Sequence, residues 1–503
     1  MGERRTTRVV IVGAGFSGLG TAIQLKKAGI HDFVILEKAD DVGGTWRENT
    51  YPGCECDVES HMYSFSYEQN ARWSRVFSGQ AEIWDYLRRL TEKHGLREHI
   101  RFGARVTGAR WDDDAQQWQV STESGDDYVG QFVANGVGVL HTPMIPRLKG
   151  IRQFQGEAWH SAEWNHDCDL AGKRVAVVGT GASAVQFVPR IASRVASLVV
   201  FQRTPPWILP KSDRAVPRWV QWLFANLPGT MRAYRYFLYW ARELHGFALG
   251  GHPSLLKRRE RAARRHLAGQ VHDPALRTRL TPDYVLGCKR ILLTNDFYPA
   301  LNRDNVRVVT DGVTQVRANS VVDGAGVEHD ADVIIYGTGF QPSLTKLKIQ
   351  GRDGHSLWRE WLLDGGRAHR GVMMSGYPNM FFLLGPNSGV AHTSVVFMIE
   401  AQAKFIVRAI KLVDARSVAA IDPRADTQRR FQTFLQDKLA KGVWATGGCT
   451  SYYVDDKGVN RTLWPGGTWR YWLQSRRLAP DEFELIARRP AARPADQVSV
   501  RPA

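Results

Sequence analysis

Cysteine is scarce in this chain: Cys54, Cys56, Cys168, Cys288 and Cys449 are the only five in 503 residues. The number is odd, no two have CxxC spacing, and no histidine pair stands near them. That argues against a disulfide framework and against a structural zinc site. A reduced, intracellular, cytoplasmic protein without a metal is expected. No run of 18 or more uninterrupted apolar residues occurs, so no transmembrane helix is expected. A signal peptide is not expected either, because Arg4, Arg5 and Arg8 lead straight into the strand-like run Val9 to Val12. Acidic side chains are in deficit, 50 against 67 Lys and Arg, leaving a net charge of +17. Such a surplus favours anionic partners. With 43% apolar and 23% charged residues the chain is not disordered, collagen-like or a coiled coil. Its length suits about three domains, and 47 glycines point to tight turns close to ligands.

The glycines fall into a pattern. A β-branched run, Arg8 to Val12, leads into Gly13-Ala14-Gly15-Phe16-Ser17-Gly18, then a helical stretch, then the strand Phe33 to Leu36 ending at Glu37. About 165 residues later Arg174 to Val178 leads into Gly179-Thr180-Gly181-Ala182-Ser183-Ala184, a second helical stretch, and the strand Leu198 to Phe201. Strand, glycine turn, helix and strand make a dinucleotide-binding unit, with the pyrophosphate at the helix N-terminus. The chain carries two. Glu37 stands 19 residues past Gly18, where a carboxylate accepts bonds from a free ribose and repels a 2′-phosphate. Arg203 stands 19 residues past Ala184, where a guanidinium can clamp a 2′-phosphate. The first site suits FAD or NAD and the second NADP, which together imply a flavoprotein reduced by NADPH.

Disulfide reductases also combine these cofactors. They need a redox cysteine pair beside the flavin, but Trp46 follows Gly43-Gly44-Thr45, and Cys54 and Cys56 sit too close along an extended run to bridge easily. A reduced flavin without a disulfide partner can pass electrons to oxygen.

Between the two units stands Phe154-Gln155-Gly156-Glu157-Ala158-Trp159-His160-Ser161-Ala162-Glu163-Trp164-Asn165. It resembles the FxGxxxHxxxW(P/D) fingerprint of type I Baeyer–Villiger monooxygenases, within the flavin-containing monooxygenase superfamily. Asn165 departs at the last position. The resemblance runs from Val9 to about Tyr471. It implies an FAD site formed by Gly13, Gly15, Gly18, Glu37, Lys38, Gly44, Thr45, Trp46, Asp57 and Tyr63. It implies an NADP site formed by Gly179, Gly181, Ala182, Ser183, Arg203, Thr204 and Lys289. Arg290, next to Lys289 in Gly287-Cys288-Lys289-Arg290, is implied as the catalytic arginine and Asp57 as its carboxylate partner. His160 and Trp164 are expected to couple domain motion. Asp332 to Phe340 is similar to the family's ATG-type strand, with Gly337 where alanine is usual, and Tyr452 follows Ser451 where the family often has tryptophan.

The fold implied is α/β, with two Rossmann-like dinucleotide-binding domains and a helical insertion in the NADP domain. The FAD domain is expected at 1–145 and 385–503, the NADP domain at 146–210 and 286–384, and the insertion at 211–285. The Pro-, Arg- and Ala-rich tail after Ala487 is expected to fray. The function implied is oxygen insertion beside a ketone carbonyl to give an ester or lactone, through a flavin C4a-peroxide, with FAD, NADPH, O2 and a lipophilic ketone. The alternative is oxygenation of nitrogen or sulfur. The basic run Lys257 to Arg265 reads as a solvated helix face and not as a nucleic-acid site. Ten apolar and aromatic residues between Trp219 and Trp240 read first as packing between helices. The second reading is an apolar entrance for a bulky ketone that touches a membrane surface.

Overall fold

The computed structural model describes residues 3–250, 253–341 and 347–490, so most of the Pro/Arg/Ala tail lies outside the described residues. Two β-sheets, the first mixed and the second wholly parallel, carry the two glycine turns. The first is an eight-stranded sheet. Its centre pairs Arg4–Val12 with Phe33–Leu36 on one side and Asp127–Asn135 on the other, all parallel. Val9, Val10 and Ile11 are fully buried, as a strand covered on both faces requires. Arg105 to Trp111 and Trp118 to Thr122 read in the sequence as paired strands around the polar turn Asp112 to Gln117, and Val106–Asp112 and Gln117–Thr122 form that hairpin, with Trp111 opposite Trp118. The second sheet has five strands, all parallel, in the order Val306–Val309, Ser197–Phe201, Arg174–Val178, Val333–Tyr336 and Glu157–His160. The α/β class with two dinucleotide-binding units follows directly. The strands Lys348–Gln350 and Met380–Phe382 pair in the first sheet, so the chain is back in that sheet well before residue 385.

Close approach of backbone explains the glycines. Gly13 has φ +92, and a Cβ there would stand 2.8 Å from the Gly136 carbonyl oxygen. A Cβ at Gly18 would reach within 1.8 Å of the Gly13 oxygen. No L side chain fits either position. The second unit repeats this at Gly179, with φ +102 and the Gly337 oxygen 2.7 Å from a built Cβ. It also accounts for two residues at once: Ala184, which replaces the third motif glycine, and Gly337, where alanine is usual. A Cβ on Gly337 would stand 3.2 Å from the Ala184 methyl. The methyl present at 184 thus fills the space that a methyl at 337 would need.

Residues 211–285 are helical, in Arg218–Asn226, Thr230–Leu249, Pro253–Gln270 and Pro274–Arg279. The basic run lies on the third helix. Leu256, Ala263 and Leu267 are buried there, while Lys257, Arg258, Arg261, Arg264 and Arg265 are exposed, the solvated face expected. The aromatic residues correct the sequence reading. Phe224 and Tyr234 stack at 5.5 Å inside the insertion. Trp219, Trp222, Tyr236, Phe237 and Trp240 face outwards. The helical period reveals a stripe, but it does not say which side of the helix is covered. Among the described residues, no helix is long and apolar enough to cross a membrane.

A substitution cycle tests the 184/337 fit. Gly337→Ala alone is expected to cost about 1–3 kcal/mol through overpacking. Ala184→Gly combined with Gly337→Ala should recover most of that loss, read as urea midpoints.

Candidate active site

The two glycine turns of the first unit face each other. Gly43 N–H donates to the Ala14 carbonyl at 3.0 Å, and a Cβ on Gly15 would meet the Gly44 Cα at 3.5 Å. Gly44 has φ +53 and precedes the short helix Thr45–Glu48. Glu37 is buried beside the turn, accepting from the Ala14 N–H at 2.7 Å and the Ala39 N–H at 3.0 Å. Lys38 pairs with Glu48 at 2.6 Å. Trp46 is buried and donates from Nε1 to the Tyr63 hydroxyl at 3.2 Å, and Phe16 meets the Tyr63 ring edge-on at 5.3 Å. Burial raises the Tyr63 hydroxyl, so it stays protonated. The structure thus gathers Gly13, Gly15, Gly18, Glu37, Gly44, Thr45, Trp46 and Tyr63 around one cradle of backbone, and no side chain can fill it where the glycines stand.

Beyond that cradle the chain runs Glu55-Cys56-Asp57-Val58-Glu59. Cys56 and Val58 turn into the first core, and the acids turn the other way. Each acid meets a cation from a distant segment. Lys211 reaches Glu55 at 2.7 Å. Arg290 Nε donates to Asp57 at 3.0 Å. Arg242 Nε donates to Glu59 at 3.0 Å. The sequence reading anticipates Asp57 and Arg290 through the resemblance and misses Lys211 and Arg242. The one signal for them is the alternation of acids at 55, 57 and 59. Burial would raise the Asp57 carboxyl, but Arg290, backed by Arg242 and Lys211, outweighs it and holds the carboxyl below its ordinary value. Asp57 in turn raises the Arg290 guanidinium, against the effect of burial. Side-chain exposures of 41% for Arg290 and 24% for Asp57 leave the pair open on one side. That side gives onto a cavity lined by both residues and by Arg242, Leu249, Val390 and His392.

In the second unit Ala182 and Ser183 begin the helix Ala182–Ile191, directly after Gly179 and Gly181. Arg203 is exposed at the end of the neighbouring strand, followed by half-buried Thr204. Lys289 Nζ lies 5.2 Å from the centre of the Tyr284 ring. Burial lowers the Lys289 ammonium, and repulsion from Arg203 lowers it further. Two cations brought into mutual repulsion could hold a compact anion between them.

His160 is fully buried at the end of its strand, opposite Tyr336, with Nδ1 accepting from the Ala162 N–H at 3.2 Å. Trp164 packs on Trp159 and Phe187, at 5.8 and 5.3 Å. Asn165 donates to Glu157 at 3.4 Å, where an aspartate would oppose a carboxylate. Tyr452 is exposed, and its ring lies 4.4 Å from that of buried Tyr453. One expectation fails. Cys288 and Cys449 form a disulfide across 161 residues of sequence, beside Lys289 and Arg290. No spacing rule reaches that far, and the fold brings the two residues together. Cys54, Cys56 and Cys168 are free. Burial pushes the Cys54 thiol up to about 12 and raises Cys56 as well, so neither is a ready thiolate.

Residues 6–220 match the family described as flavin-binding monooxygenase-like. A Baeyer–Villiger monooxygenase of Pseudomonas aeruginosa is 45% identical over 484 residues, 96% of this chain and 92% of that one. A Baeyer–Villiger monooxygenase of Streptomyces coelicolor is 42% identical, covering 96% and 93% of the two chains. A closed crystal structure of cyclohexanone monooxygenase superposes with a TM-score of 0.87 at 28% identity, covering 96% of this chain and 100% of its own. An oxidised steroid monooxygenase bound to NADP gives 0.85 at 29% identity, with 96% and 100% covered.

Two measurements probe this geometry. Arg203→Ala is expected to narrow any preference for NADPH over NADH in flavin reduction by about 10- to 100-fold, the loss of one charge-assisted phosphate contact. Lys289→Met should act in the same direction. Lys211→Met leaves Glu55 without its cation and is expected to lower stability by about 2–3 kcal/mol, read from denaturant midpoints.

Proposed function

The chain belongs to the type I Baeyer–Villiger monooxygenases, and from that premise we propose that it uses FAD, NADPH and O2 to convert a lipophilic ketone into an ester or lactone. The observation that carries this reading is the Asp57–Arg290 pair, open on one side to the cavity between the two nucleotide units. The glycine cradle, with Glu37, Lys38, Trp46 and Tyr63 around it, fits a flavin nucleotide with a free ribose. The Gly179 turn with Ala182, Ser183, Arg203, Thr204 and Lys289 fits a nucleotide bearing a 2′-phosphate. When bound, the flavin takes hydride from NADPH and activates O2 for transfer.

The protein's own residues then have separable tasks. Arg290 keeps a permanent positive charge facing the cavity, where negative charge develops on the attacking oxygen and on the carbonyl oxygen of the adduct. A guanidinium already fixed in place needs no reorganisation as that charge appears. Asp57 is the positioning residue: it stays ionised and holds both Arg290 Nε and one terminal nitrogen, leaving the opposite edge of the guanidinium to the reacting oxygens. Arg242 and Lys211 keep the Asp57 segment in register through Glu59 and Glu55. Leu209, Leu249, Ile291 and Val390 give the cavity apolar walls among its charged residues, which suits an apolar ketone. Oxidation of a soft sulfur or nitrogen nucleophile would not require an anion stabiliser at Arg290.

Mass spectrometry of products tests the reading. Purified FAD-loaded protein with NADPH and O2 is given cyclic, aryl and steroidal ketones together with sulfides and amines. Esters or lactones carrying one added oxygen are expected, and sulfoxides or N-oxides alone would overturn the reading. Arg290→Ala should still bind FAD and lose ester formation by roughly a hundredfold or more, the scale seen when one preorganised oxyanion donor is removed. Retained ester formation would remove Arg290 from this role.

A further inference from the structure

The insertion presents an apolar surface that the active site does not use. Helices Arg218–Asn226 and Thr230–Leu249 form a hairpin turned by Gly229, whose φ is +88. Its inner side is accounted for. Phe224 and Tyr234 both pack edge-on against His61, at 5.0 and 5.4 Å, Arg235 and Leu238 are buried, and Arg242 holds Glu59. Its outer side carries Trp219, Trp222, Tyr236, Phe237, Trp240 and Leu244, each between 54% and 72% exposed. Residues 236, 237, 240 and 244 follow helical spacing, so they form one continuous stripe. Trp469 extends it from the helix Thr468–Arg476, because Thr468 bonds to Tyr239 on the flank of the hairpin. Single exposed apolar residues are ordinary, but a contiguous patch of this kind marks an interaction surface.

The charge around the patch selects the partner. From Arg214 to Arg242 there is no Asp or Glu. Arg214, Arg218 and Arg232 are exposed, and Arg470 lies 5.0 Å over the Trp469 ring. A second copy of the chain, paired through the same face, would set two acid-free arginine surfaces against each other on molecules that each carry +17. Tryptophan and tyrosine, amphipathic rings suited to a boundary between water and hydrocarbon, dominate the stripe, with arginines at its borders. The geometry points to an anionic lipid bilayer: the outer face of the 218–249 hairpin docks in the headgroup region, its aromatic stripe entering the interface and its arginines meeting lipid phosphates. The opposite face of the same long helix carries Arg242, His245 and Leu249 at the wall of the Arg290 cavity, so docking would set that cavity's wall about one helix width from the lipid.

Flotation of the FAD-loaded protein with phosphatidylcholine–phosphatidylglycerol vesicles, beside phosphatidylcholine vesicles, tests the proposal without any turnover. It therefore stands or falls separately from the proposed reaction. Binding to the anionic vesicles is expected, weakening as salt rises. The triple variant Trp222→Ala/Phe237→Ala/Trp240→Ala should keep FAD and NADPH oxidation in solution while its vesicle affinity falls by roughly a hundredfold. If that variant does not fold, quenching of the unmodified protein's tryptophan fluorescence by bromine-labelled lipid reads the same insertion. Absence of flotation and quenching would overturn the proposal. So would binding that the triple variant retains, or a dimer in light scattering that the triple variant reduces to a monomer, which would assign the face to a second copy.

Discussion

Three acids on one short segment, from 55 to 59, hold this molecule's working parts together. Glu55, Asp57 and Glu59 belong to the chain that follows the first glycine cradle. Their cations, Lys211, Arg290 and Arg242, come from the edge of the insertion, the second unit and the long insertion helix. Cys56 and Val58 bury into the first core between the three acids, each of which meets its own cation. The core side fixes the segment, and the segment fixes the cations. Arg290 is exact in place because both of its neighbours in this row are also tied. Cutting one pair leaves a partly buried charge without a partner, which costs more than the pair itself contributes.

This row also explains why the site lies between units. Each sheet alone makes a nucleotide site from its own glycine turn. Neither supplies both halves of the Asp57–Arg290 pair, which are 233 residues apart. Contacts such as Tyr51 to Gln186 at 2.9 Å add neutral bonds across the same seam. The Asp57–Arg290 pair sits where the two units have to agree on one geometry, as is common for ligand sites in proteins built from several units.

Legibility in the sequence followed the range of the physics involved. The glycine turns could be read because the constraint is local: a positive φ or a close carbonyl admits one residue type, and Gly13, Gly18 and Gly179 show it. The strand pattern and the hairpin at Trp111 and Trp118 were legible for the same reason. Arg290 and Asp57 were legible through resemblance, since no spacing joins them. Lys211 and Arg242 carried no mark of their own beyond being basic, and the acids at 55, 57 and 59 do not say which cations they meet. The Cys288–Cys449 bond was misjudged, because pairing across 161 residues is decided by the fold. The aromatic stripe was seen, but its direction was not: a period of 3.6 is the same whether the stripe faces protein or water.

The disulfide has a topological consequence. It closes residues 288–449 into a covalent ring. That ring contains strands of both sheets, Val306–Val309 and Val333–Tyr336 from the second and Met380–Phe382 from the first. A single break of the backbone anywhere within the ring leaves one connected molecule, its two ends still joined through sulfur. Arg290 stands two residues inside that junction, so its segment would remain tethered to both halves of a nicked chain.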